Sequence, residues 1–99
     1  MRQKARTDVA HSAIRDALRR VGCSVHDTSQ LGGGFPDLTV RTPDGFLLLL
    51  EVKSPRGRLT ADQERFRIYF PETQVAVTVE DALRLVGVHS ERKANDANT

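Results

Sequence analysis

Apolar residues recur at Val9, Ala10, Ala13, Ile14, Ala17, Leu18 and Val21. This helical spacing predicts a helix over residues 8–21 whose single stripe is wide enough to cover a sheet. Thr7 or Asp8 suits its N-cap, and Gly22 stands where such a helix ends. Residues 23–28, with some β-branched character, predict a first strand. Pro36 opens a second strand over 37–41, where a missing amide donor is tolerated. Thr42-Pro43-Asp44-Gly45 is a turn signal, and residues 46–52 are almost continuously apolar, as in a central strand buried on both faces. Thr60 and Gln63 fit a Thr-x-x-Gln capping box opening a second helix, with Leu59, Phe66 and Phe70 on its core face and Pro71 as its stop. Residues 74–78 predict a last strand, and 79–86 a short closing helix with Glu80 and Asp81 in its first turn.

Size and composition narrow the picture. Ninety-nine residues make one domain with a small core. Residues 1–88 hold every predicted element, and residues 89–99 form a polar, mobile tail. A hydrophobic fraction of 38% is modest, so dimerisation is a reasonable way to cover leftover apolar surface. A formal charge of +2 permits a nucleic-acid partner without demanding one. Cys23 is a lone cysteine, no apolar run is long enough to span a membrane, and the N-terminus is charged rather than signal-like. The expectation is a soluble intracellular protein.

Three charged groups stand out around the apolar hairpin. Asp37 lies at the start of one strand, and Glu51 and Lys53 close the next, on a shared face because side chains alternate. A hairpin folded at residues 43–45 brings Asp37 beside Glu51, so that two carboxylates and a lysine meet at one sheet end. That inventory suits a hard divalent cation and an attacking water. A carboxylate on a buried strand needs a positive neighbour, and either a metal ion or a plain Glu51–Lys53 ion pair would serve. Arg56 and Arg58 follow directly and could hold phosphate oxygens, as could Arg15 and Arg19 on the first helix. Gly32-Gly33-Gly34 allows a sharp turn or a close approach. It is not a nucleotide loop, because no Gly-Lys-Ser/Thr follows. His11 sits at the edge of the helical stripe, where it either looks into a cleft or marks a boundary.

The order helix, strand, strand, strand, helix, strand, with Pro-Asp opening one middle strand and Glu-x-Lys closing the next, resembles the PD-(D/E)xK nuclease superfamily. Closer in, GGGFPDL, the strand ending EVK, and LTADQ opening a helix resemble the VRR-NUC (virus-type replication-repair nuclease) domain, in particular its short stand-alone phage-type members. The resemblance spans residues 7–87. It implies an α/β fold with a restriction-endonuclease-like core, a mixed sheet in the order αβββαβ, and a short C-terminal helix.

The function implied is Mg²⁺-dependent hydrolysis of DNA phosphodiesters, with Mn²⁺ as a substitute ion. By the same resemblance, Asp37, Glu51 and the Val52 carbonyl would be metal ligands, Lys53 would handle the attacking water, and Gln63 would reach the site in competition with its capping role. The family's acid on the first helix has no clear counterpart; His11 or Asp8 occupies that region, and capping accounts for Asp8 as well. A homodimer acting on branched DNA such as Holliday junctions or flaps follows from the same likeness, as does a cytoplasmic location in a bacterial host for a phage-encoded chain. The rival readings are a non-catalytic nucleic-acid-binding module of the same fold, gripping phosphates with Arg15, Arg19, Arg56 and Arg58, and a small interaction domain without a nucleic-acid role.

Overall fold

The computed structural model describes the backbone of residues 2–87 and the side chains from residue 9 onward; the tail expected over 89–99 lies outside the described residues. Helix α1 (Arg2–Arg20) is followed by strands β1 (Ser24–Asp27), β2 (Leu38–Arg41) and β3 (Leu47–Val52), helix α2 (Ala61–Tyr69), strand β4 (Thr73–Ala76) and a closing helix α3 over 79–87. The strands form one sheet in the order β1-β2-β3-β4. The first two pairings are antiparallel and β3–β4 is parallel, which makes the sheet mixed, as the family resemblance implies.

The core lies on one face of this sheet. Leu38, Val40, Leu48, Leu50 and Val52 alternate onto it, and Ile14 and Leu18 of α1 pack there with Ala82 and Val86 of α3. The buried stripe of α1 is narrower than the periodicity predicts. Ile14, Ala17 and Leu18 are buried, whereas Val9 is 69% exposed and Val21 is also exposed, because four short strands offer too little surface for a longer seam. Helix α1 also begins earlier than expected, so Thr7 and Asp8 fall inside it instead of capping it. Its C-terminus matches the expectation. Gly22, at φ +95°, lets the Gly22 and Cys23 amides donate to the Arg19 and Leu18 carbonyls, and Cys23 and Leu18 both enter the core.

Helix α2 corrects a second expectation. Its capping box forms as read, but none of its residues is buried, and Phe70, expected in the core, is 48% exposed. Leu59 and Phe66 are half-buried. The helix packs edge-on against a loop instead of lying flat on the sheet. Phe66 meets Phe35 with ring centroids 5.2 Å apart and stacks on Phe70 at 4.5 Å. Strand β4 ends at Ala76, two residues short of the expected stop. The Val77 and Thr78 amides donate to the Asp81 carboxylate, and Thr78 Oγ1 accepts from the Asp81 amide. A Thr-x-x-Asp cap for α3 thus takes the donors that a longer strand would have used.

Candidate active site

The β2–β3 register places the site. Leu38 pairs with Leu50, so continuing the ladder sets Asp37 opposite Glu51 and Pro36 opposite Val52. Both acids then point away from the α1 face. Glu51 is 1% exposed. Burial first, and then the neighbouring carboxyl of Asp37, push its pKa up to about 9, with the positive charge of Arg67 pulling the other way. The Glu51 carboxyl therefore keeps its proton at neutral pH.

Backbone chemistry completes the oxygen cluster. The Lys53 amide points to β4, donating to the Ala76 carbonyl, so the amide and carbonyl of Val52 point toward β2. There the Val52 N–H donates to Asp37 Oδ2 at 2.9 Å. Pro36, opposite, has no amide hydrogen to offer the Val52 carbonyl, and its own carbonyl accepts from Thr28 Oγ1 at 2.7 Å. Pro36 therefore cannot serve as a ladder donor to the Val52 carbonyl. Two carboxylates and a peptide oxygen are the hard donors that Mg²⁺ and Mn²⁺ take. Glu51 is buried without an ion-pair partner of its own and Asp37 stands half-buried opposite it, so the donor set fits such an ion.

Gln63 performs both roles weighed for it. Its backbone amide donates to Thr60 Oγ1 and its Oε1 accepts from the Thr60 amide, while Nε2 donates to Glu51 Oε1 at 3.1 Å. The glycine run sets that approach. Gly34 has φ +83°, and a Cβ there would lie 2.2 Å from the Asp62 carbonyl oxygen, so only glycine lets the first turn of α2 come this close.

This geometry joins two distant sequence signals, the Pro-Asp strand and the Gln-bearing helix, into one cluster. A VRR-NUC domain family model matches residues 2–82. The chain belongs to the VRR-NUC domain family. A solved VRR_NUC domain superposes with a TM-score of 0.69 at 22% identity, covering 82% of this chain and 94% of that one, a likeness of fold. A UPF0102 protein of Polaromonas sp. strain JS666 is 43% identical over 58 residues, an alignment covering 54% of this chain and 39% of that protein. The chain thus matches about two-fifths of the length of that relative. VRR-NUC membership supports a nuclease-type function, and such nuclease domains generally use divalent metals.

The remaining expected groups of this VRR-NUC domain are distributed unevenly. Lys53 Nζ donates to the carbonyls of Ser54 at 3.1 Å and Gly57 at 2.7 Å, so the ammonium is held by its own loop. The Glu51–Lys53 ion pair that the strand spacing permits is not formed; the Arg and Lys ion pairs among the described residues are Arg15–Asp16, Arg65–Asp62 and Arg84–Asp81. His11 Nε2 lies 3.7 Å from Asp27 Oδ1, at the junction of α1 and β1. The Asp8 side chain lies outside the described ones. No group of three or more His, Cys, Asp or Glu side chains among the described residues is placed to hold a metal. Arg15 is engaged with Asp16, and Arg19 donates to the Val25 carbonyl, whereas Arg56 and Arg58 are exposed on the loop after β3. No helix among the described residues is long and apolar enough to cross a membrane. Arg67, which was not among the expected groups, follows Gln63 by four residues on the same helix.

Proposed function

We propose that this domain is a metal-dependent DNA endonuclease that hydrolyses phosphodiester bonds, selective for branched DNA such as Holliday junctions or flaps. The observation that carries this reading is the register that sets half-buried Asp37 opposite buried Glu51, next to Val52 at the end of β3. Mg²⁺ or Mn²⁺ would be held by Asp37, Glu51 and the Val52 carbonyl. Bound there, the ion supplies Lewis acidity at the phosphate and brings the pKa of water toward neutrality. Glu51 would give up its proton on becoming a ligand. Gln63 fixes the Glu51 carboxyl by its 3.1 Å hydrogen bond, so that the ligand does not have to be reoriented during the reaction.

Lys53, two residues after Glu51, orients or deprotonates the attacking water after leaving one of its two carbonyl partners. Arg56 and Arg58 grip flanking phosphates on the same side. A homodimer accounts for action on branched substrates, because two-fold symmetry presents two sites to two strands. The test is to incubate the full chain with Mg²⁺ or Mn²⁺ and labelled four-way, flap and linear DNA, and to repeat it with Asp37→Ala. Cleavage strongest on branched DNA and lost in Asp37→Ala, with binding retained, is the expected result. Intact substrates at high enzyme concentration overturn the reading and leave a phosphate-gripping module without catalysis. Sedimentation velocity across a range of concentrations tests the dimer.

A further inference from the structure

We propose that Arg67 is the phosphate-binding cation of this site, its guanidinium contacting the non-bridging oxygens of the phosphodiester that Asp37 and Glu51 address. This rests on the nuclease reading and adds to it a residue from a different element. Arg67 lies one helical turn beyond Gln63 on α2, and side chains four residues apart on a helix are neighbours. Gln63 touches Glu51, so Arg67 occupies the next position along the same face.

Most other cations near the fold are committed elsewhere. Lys53 is held by two loop carbonyls, Arg65 pairs with Asp62 at 3.1 Å, and Arg19 is bound to the Val25 carbonyl. Arg67 is exposed, with no hydrogen bond or ion pair among the described residues, and it borders a shallow groove with Glu64, Ile68 and Pro71.

Geometry and chemistry then point to one occupant. An approaching phosphodiester brings a negative charge toward two carboxylates, and more builds on its oxygens as the bond to water forms. A free guanidinium one helical turn beyond Gln63 offsets both. Its planar fork fits two phosphate oxygens in a way that a lysine ammonium does not.

The test compares the full-length wild type with Arg67→Ala and Arg67→Lys. The measurements are single-turnover cleavage of labelled branched and linear DNA in Mn²⁺, and Mn²⁺ affinity by electron paramagnetic resonance. Arg67→Ala is expected to cut on the order of 100-fold more slowly with unchanged Mn²⁺ affinity, with Arg67→Lys in between and added guanidinium ion restoring part of the rate. Wild-type speed in Arg67→Ala overturns the proposal, as does a loss fully explained by weaker Mn²⁺ binding. A wild type that cuts no substrate is a separate result, since it removes the nuclease reading on which this one stands.

Discussion

At the scale of single residues, Glu51 is the group whose environment departs furthest from water. Its carboxyl ordinarily titrates near 4.5 and is pushed to about 9 by burial and by Asp37. A raised folded pKa means that the native chain binds this proton more tightly than the unfolded one. The stability it contributes is fully present below about pH 4.5 and is lost as the pH rises toward 9. Metal-free protein in chelator is therefore expected to melt at lower temperature at pH 8 than at pH 5. Glu51→Gln keeps the shape and removes the charge, so it should flatten that dependence and raise stability at pH 8 by about 1 kcal/mol or more, or about 4–8 °C for a domain this size. Differential scanning calorimetry from pH 5 to 9 measures both. The same variant should abolish cleavage, separating a group kept for chemistry from one kept for stability.

At the scale of elements, the two capped helices do different work. Thr60→Ala removes the N-cap of α2 and should cost about 1 kcal/mol. Gln63→Ala removes its half of the capping box and also the contact to Glu51. It should lower cleavage far more than Thr60→Ala for a similar loss in urea denaturation, which isolates the helix's contribution to the site. On α3, the Val77 and Thr78 amides hold the Asp81 carboxyl below its usual range. A depressed folded pKa gives stability that is present above the usual value near 3.8 and lost as the pH falls through the folded one. Asp81→Ala should therefore begin acid unfolding at a higher pH, followed by circular dichroism from pH 6 to 2. This cap also explains why β4 stops early: Val77 and Thr78 have strand-forming side chains, but their amides are already taken, and backbone donors decide where a ladder ends.

At the scale of the whole molecule, function depends on the glycine loop, the hairpin and α2 being held together. Gly33 and Gly34 both have positive φ, but a Cβ on Gly33 meets nothing within 4 Å, whereas one on Gly34 collides with the α2 backbone. Gly33→Ala should cost about 1 kcal/mol from backbone strain alone. Gly34→Ala should cost more in chemical denaturation and also lose cleavage, because α2 must move and takes Gln63 with it. Arg56 and Arg58 act at this scale too, through the field of the molecule. Replacing both by alanine should lower the salt dependence of DNA binding by about two ion equivalents, read from fluorescence anisotropy over a salt titration, with little effect on stability.

What the sequence by itself determined was the local order. The α1 stripe and its Gly22 stop, the hairpin at residues 42–45, the Thr60–Gln63 cap and the Asp37–Glu51 register each depend on spacing within one or two elements, and each was legible. The core on one sheet face, the exposed aromatic side of α2 and the binding of Lys53 by its own loop were decided only in three dimensions. They depend on which surface meets which. A hydrophobic pattern shows that a helix has an apolar side, but it does not say whether that side covers a sheet or leans on a loop.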